Sequence, residues 1–171
     1  MRILGIDPGL NTTGYGVLDV TERRSDPPRL VEAGVVRGKA GASLAQRVHE
    51  IHAGVVDVIE SLKPDVLAIE ELYSHYERPT TAILMGHARG VIILAAAQAG
   101  IPVEHYAATQ IKKTLTGNGR AAKWQMQEAI RRELNLPALP EPPDVADALA
   151  IALCHCYVGA RVQGAGAGEP N

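Results

Sequence analysis

A chain of 171 residues and 18.2 kDa corresponds to one domain at about 150 residues each, which argues against a two-lobed enzyme with a cleft between its halves. Apolar residues at 46 % and charged residues at 21 % exclude disordered and fibrous classes, and with no Phe, one Trp and five Tyr the core falls to Ala, Val, Leu and Ile. A net charge of -2 argues against a globally basic nucleic-acid binder while leaving room for a local basic face.

Residues 2–7, 14–20 and 30–37 read as strands, rich in Val, Ile and Leu and separated by Gly, Pro and Asn signals; their short connections predict an antiparallel meander. Ser43 with Gln46 forms a capping box, and Leu44, Val48, Ile51, Val55, Ile59 and Leu62 recur at helical spacing up to the stop at Pro64. A fourth strand follows at 66–70, then a helix apolar nearly all round at 80–98, closed by Gly100, and a fifth strand at 103–106. Three more helices are predicted at 109–115, 122–134 and 143–158. This order predicts an α/β fold, a five-stranded mixed sheet flanked by helices, with a crossover laying the fourth strand parallel to the first. Residues 1–158 make the domain; residues 159–171, with four Gly and no apolar period, are expected to be disordered. The longest apolar run, 91–97, has seven residues against the roughly 18 that span a bilayer, so no membrane segment is expected. Two cysteines are too few for a disulfide framework and the first residues lack a secretory h-region, which points to a reducing cytoplasm.

The first strand ends Gly5-Ile6-Asp7 and the fourth Ala68-Ile69-Glu70, so each closes on a carboxylate with a small residue two positions below it on the same face. Small residues there are expected to leave space over the sheet for a ligand. Taken singly, Asp7 also reads as the opener of the Pro8-Gly9 turn and Glu70 as a strand-end cap; Glu71, the competing acid, faces the other side. Asp144 and Asp147 lie three apart on the first turn of the last helix and project together, although acids there also complement the helix dipole. Clustered carboxylates raise one another's pKa unless a cation compensates, and oxygen ligands without His or Cys select Mg²⁺ or Mn²⁺. Such a cage suits two-metal phosphodiester hydrolysis.

Between residues 112 and 132 stand six basic groups, Lys112, Lys113, Arg120, Lys123, Arg131 and Arg132, against one acid, Glu128. That window is +5 in a chain of -2, and reads either as a solvated helix face or, beside the acids, as a clamp on a DNA backbone. Within it, Gly117 and Gly119 flank a helix start whose backbone N–H groups, with Lys123, are expected to hold a phosphate. After Glu70, Tyr73, Tyr76 and Arg78 place two rings and a cation near the acids, for stacking on bases or for packing on the sheet edge. Cys154-His155-Cys156 reads as core packing, because residues two apart on a helix point to nearly opposite sides, and His49 and His52 lack metal-binding spacing.

Taken together, Gly5-Ile6-Asp7-Pro8-Gly9 with Gly14-Tyr15-Gly16, Ala68-Ile69-Glu70, and Asp144-Val145-Ala146-Asp147-Ala148-Leu149-Ala150 resemble the RuvC family of crossover junction endodeoxyribonucleases. The likeness continues through Gly86-His87-Ala88-Arg89-Gly90 and the stretch 106–123, and so covers residues 1–158. It implies an RNase H-like fold and a homodimer that binds a four-way Holliday junction. Each subunit would nick one of two symmetric strands with two metal ions, leaving 5'-phosphate and 3'-hydroxyl ends, in homologous recombination and DNA repair. By resemblance, Asp7, Glu70, Asp144 and Asp147 are metal-binding catalytic acids, Tyr73 the aromatic that probes bases near the cut where the family often has Phe, and Lys112 and Lys123 the lysines near the scissile strand. A branch-migration motor of the RuvA and RuvB type is the implied partner. Two symmetric cuts also require two sites related by a twofold axis, and the apolar second helix has surface for that contact. Two other readings stand beside this one: an actin-like or sugar-kinase ATPase, which needs two such domains, and a non-catalytic module for branched DNA.

Overall fold

The computed structural model describes residues 1–21, 26–72 and 79–165. Along the chain run β1 (Arg2–Asp7), β2 (Thr12–Asp19), β3 (Arg29–Arg37), α1 (Leu44–Leu62), β4 (Val66–Glu70), α2 (Pro79–Gln98), β5 (Val103–Tyr106), α3 (Ala108–Thr116), α4 (Lys123–Glu133) and α5 (Pro143–Ala165). The sheet order is β3-β2-β1-β4-β5, with β1, β2 and β3 antiparallel and β1, β4 and β5 parallel, the mixed five-stranded sheet expected.

Alternation along the strands divides the core into two layers. Leu4, Ile6, Val17, Leu67 and Ile69 face one side, where Ile51, Val55 and Ile59 of α1 and Ile92, Ala95 and Ala96 of α2 cover them. Ile3, Leu18, Val66 and Ala68 face the other, under Ile111 of α3, Met126 and Ile130 of α4, and the length of α5. At the start of α1 the Ser43 Oγ accepts from the Gln46 N–H while the Ser43 N–H donates to Gln46 Oε1, and the helix stops at Lys63 in the left-handed region, φ 48°, ahead of Pro64. Arg2 braces the opposite end of the sheet, donating to both Asp19 carboxylate oxygens at 2.7 and 3.0 Å and to the Leu62 carbonyl at 2.7 Å.

Helix α5 lies directly on β1 and β2. A Cβ at Gly5 would stand 2.3 Å from the Ala148 carbonyl oxygen and 2.7 Å from the Ala152 nitrogen, and Gly5 is paired across the ladder with Gly16, whose own Cβ would meet Leu149 at 2.5 Å. The small residues below the acids therefore admit a helix backbone, not a ligand, which corrects the expected space over the sheet. Buried Ala148, Ala152 and Ala68 complete this close approach.

Two further expectations change. The last helix continues to Ala165, beyond the predicted end at 158 and into the segment expected to be disordered, because extending an existing helix adds a hydrogen bond for each residue ordered. Residues 166–171 lie outside those described. In addition, residues 80–98 of α2 are long and apolar enough to cross a bilayer by composition, although no uninterrupted apolar run is. This helix joins β4 to β5, adjacent strands of one sheet, and buries Ala88, Ile92, Ala95 and Ala96 in the core, so it is a structural helix of the domain, with Ile83 and Leu94 left 63 % and 48 % exposed.

Replacing Gly5 by Ala forces α5 off the sheet and is expected to cost about 3 kcal/mol, read as a lower urea midpoint at unchanged slope. Gly86→Ala, whose new methyl meets open space within α2, is expected to be neutral or stabilising by about 0.5–1 kcal/mol in the same assay.

Candidate active site

Four acids converge at the edge of the sheet where β1 and β4 end. Ile6 pairs with Ile69, and Asp7 and Glu70 are the next residue of each strand. Alternation puts both carboxylates on the face of Ile3, Val66 and Ala68, beneath α5. Asp7 is also in register with Gly14 on β2, where a Cβ would lie 2.0 Å from the Asp144 carbonyl oxygen. The first turn of α5 is thus pressed against the Asp7 end of the hairpin, and Asp147, three residues on, shares the helix face of Asp144. The turn after Asp7 is fastened without it: Thr13 Oγ1 donates to the Gly9 carbonyl at 2.7 Å and accepts from the Gly9 N–H at 3.2 Å. This removes the reading of Asp7 as a mere turn opener.

Among the described residues, none of these four carboxylates joins a salt bridge or a side-chain hydrogen bond. Burial, then the charges of Asp147, Glu70 and Asp144, push the Asp7 carboxyl from its ordinary 3.8 to about 7, with Lys123 opposing. Glu70 is raised by burial and by Asp147 against the pull of Lys112. Asp147 is raised by burial and by Asp144, while Lys123 and Lys112 pull it down. Two lysines therefore face three coupled acids without pairing to any of them. Glu70, Asp147, Lys112 and Lys123 line one cleft of about 280 Å³, walled by Ile111 and Met126.

The donor set is all carboxylate oxygen, mutually repelling and without a neutralising partner, and so fits a hard divalent cation such as Mg²⁺ or Mn²⁺. In the side-chain positions seen here, no three His, Cys, Asp or Glu side chains among the described residues are arranged to hold one ion. Gripping an ion requires rotamer adjustment of carboxylates that the backbone has already brought together.

The basic window divides. Lys112 and Lys123 enter the cleft, whereas Lys113 and Arg120 are exposed outside it. Arg131 and Arg132 are engaged by Glu128 at 2.8 and 3.3 Å on the outer face of α4, so they add little to a clamp. In the Gly117–Gly119 turn, expected to help hold a phosphate, most of the backbone N–H groups are engaged within the chain. The N–H groups of Gly117, Asn118, Arg120 and Ala121 already donate to Lys113 O, Thr116 Oγ1, Asn118 Oδ1 and Asn118 O, and that of Ala122 to Gln125 Oε1. Tyr73, Tyr76 and Arg78 lie outside the described residues.

Cys154, His155 and Cys156 are buried as predicted, the two thiols unpaired, and His155 Nδ1 lies 2.7 Å from the Tyr106 hydroxyl beside the Glu70 strand end. One contact escaped the sequence reading. Arg89, on α2, donates from Nε to the Glu70 carbonyl at 3.1 Å and sets Nη2 2.6 Å from His105 Nδ1, tying the end of β4 to β5. Its signal was available: Arg89 is the single formally charged side chain in an otherwise apolar helix.

Comparison with known proteins agrees with this geometry. The family model described as crossover junction endodeoxyribonuclease RuvC matches residues 3–155. A crossover junction endodeoxyribonuclease RuvC of Rhodopirellula baltica is 56 % identical over 158 residues, 91 % of this chain and 86 % of the relative. Among solved structures, Thermus thermophilus RuvC superposes with a TM-score of 0.87 at 36 % identity, covering 95 % of this chain and 97 % of that one. The same protein in complex with a Holliday junction substrate gives 0.85 at 36 % identity, with 95 % and 96 % covered.

The carboxylate cluster carries a stability cost whose sign is fixed by the direction of the Asp7 shift. Between pH 4 and about 7 the folded chain holds a proton on Asp7 that the unfolded chain has lost, so stability falls as pH rises through that window. In the presence of a chelator, the melting temperature is expected to drop between pH 5 and pH 8. Asp7→Asn is expected to flatten that drop and to be more stable than the parent at pH 8, by on the order of 2–4 kcal/mol; equal pH slopes for the two proteins would show that Asp7 ionises normally.

Proposed function

Since this chain belongs to the RuvC family of crossover junction endodeoxyribonucleases and has the RNase H-like fold, we propose that it resolves four-way DNA junctions by paired, symmetric nicks made with two divalent ions, leaving 5'-phosphate and 3'-hydroxyl ends, in homologous recombination and DNA repair. Membership sets aside the ATPase reading and the non-catalytic module. The observation that carries the proposal is a cluster of four carboxylates without salt bridges or side-chain hydrogen bonds among the described residues, two of which, Glu70 and Asp147, share one cleft with Lys112 and Lys123.

Asp7, Glu70, Asp144 and Asp147 would hold the ions, Mg²⁺ or Mn²⁺. When bound, these supply a lowered pKa for the attacking water and stabilisation of the leaving oxygen. The chain's own contribution is pre-organisation. Asp7 and Glu70 are set by parallel strand register, Asp144 and Asp147 by a helix that cannot slide on Gly5, and the Glu70 backbone by Arg89. Lys112 and Lys123 hold phosphates of the strand to be cut, and Tyr73, Tyr76 and Arg78 are assigned to the unpaired bases beside it.

A homodimer supplies the second site that two symmetric cuts require, with the apolar surface of α2 around Ile83 and Leu94 as its contact. A RuvA/RuvB-type branch-migration complex is the proposed partner. The buried, unpaired thiols Cys154 and Cys156 suit a reducing cytoplasm.

Incubating a fixed synthetic four-way junction with and without Mg²⁺ tests the reading: paired symmetric nicks are expected only with the ion. Asp7→Asn and Glu70→Gln are expected to retain junction binding in a gel shift and to lose nicking by at least about 100-fold, a loss typical of removing a group that stabilises transition-state charge. Persistent nicking removes that acid from the site. Lys123→Ala is expected to lower the slope of log affinity against log salt by about one unit, and an unchanged slope means that Lys123 touches no phosphate.

A further inference from the structure

Trp124 is the chain's sole tryptophan, and at 69 % exposure it is the most exposed large apolar side chain among the described residues. The packing of α4 does not need it. That helix buries Met126 and Ile130, and at about 100° per residue Trp124 falls about 140° from the middle of the buried pair, on the solvent side. A side chain this large, at a position any polar residue would fill, leaves a broad aromatic face with a polar N–H handle available for contact.

Its surroundings say what kind of contact. Trp124 follows Lys123, whose side chain lines the cleft with Glu70 and Asp147. On the first turn of a helix the Cα–Cβ bond leans toward the N-terminus, so the indole leans toward the start of α4, the end that follows the 117–121 segment in the chain. The cations of this stretch, Lys112, Lys113, Arg120 and Lys123, form no salt bridge among the described residues. A flat aromatic face next in the chain to a cation of the cleft, on a stretch whose other cations form no salt bridge among the described residues, matches a nucleic-acid strand, with phosphates on the cations and a base or sugar face on the ring. A second copy of this chain would bring the same positive stretch against itself and be repelled.

We propose that Trp124 is a DNA-contacting residue of this protein, an aromatic platform on the basic stretch that stacks on a nucleotide of the junction as its strand enters the cleft. The proposal rests on the junction-cleaving reading and adds a contact beyond the four acids, the lysines and the loop after Glu70.

Because no other tryptophan is present, its fluorescence reports on this residue alone. The wild-type chain is titrated with a fixed four-way junction assembled from four oligonucleotides, without divalent ions so that no strand is cut, while a parallel gel shift follows binding. The indole emission is expected to be quenched along the binding curve, and Trp124→Ala to weaken junction binding about 10-fold with an unchanged thermal melt, with Trp124→Phe restoring most of the affinity. A gel shift without any change in emission, together with Trp124→Ala binding as tightly as the parent, overturns the proposal and leaves the junction reading intact. Absence of any junction binding by the wild-type chain overturns both. Emission that depends on protein concentration without DNA, and is indifferent to the junction, assigns the ring to self-association and also overturns it.

Discussion

The contact on which this structure depends is the seating of α5 on the β1–β2 hairpin. Gly5, paired with Gly16, and Gly14, paired with Asp7, remove the side chains that would otherwise hold a helix several ångströms above a sheet, and backbone atoms of Ala148 and Asp144 occupy the space. A helix held this closely cannot slide or rotate without a backbone clash, so Asp144 and Asp147 inherit the precision of the strand register that sets Asp7 and Glu70. A site for phosphoryl chemistry needs this, because misplacement of about 1 Å can cost orders of magnitude in rate.

The same seating creates an electrostatic problem. It buries like charges together, with neither salt bridges nor side-chain hydrogen bonds to relieve them among the described residues, and the Asp7 carboxyl is driven to about 7. Lys112 and Lys123 temper the cluster from across the cleft without pairing to it. Such an arrangement is destabilising for the folded chain alone and favourable for a cation or a polyanion held beside one, which is the usual relation between a functional site and the stability of the fold that carries it.

Much of this was legible in the residues. Alternation and helical periodicity located the elements, because burial acts on every strand and helix with a fixed period; the matching ends Gly5-Ile6-Asp7 and Ala68-Ile69-Glu70 identified two acids, and the three-residue spacing of Asp144 and Asp147 identified the others. Three readings changed once their partners were in place. The small residues beneath the acids read as room for a ligand, when they are room for α5. The Gly117–Gly119 turn read as an anion cradle, and in the fold the N–H groups of Asn118, Arg120 and Ala122 are engaged by Thr116, Asn118 and Gln125. The +5 window read as one clamp, when Glu128 holds Arg131 and Arg132 on the outer face of α4. In each case the residues were identified correctly and the partner was not: α5 reaches Gly5 from far along the chain and leaves no periodic trace there, while the turn and ion-pair partners lie two to four residues off and are selected by local side-chain geometry that composition does not specify.

By itself the amino-acid sequence determined the class of fold and the family, and it singled out the four acids that the fold brings together, because local period, residue chemistry and motif spacing are properties of short stretches of chain. Only the tertiary structure decided which cations enter the cleft, that Arg89 of α2 fastens the Glu70 strand end, and that the lone tryptophan stands in water. Those outcomes depend on distance and exposure in the folded chain, and they are set when the helices dock on the sheet.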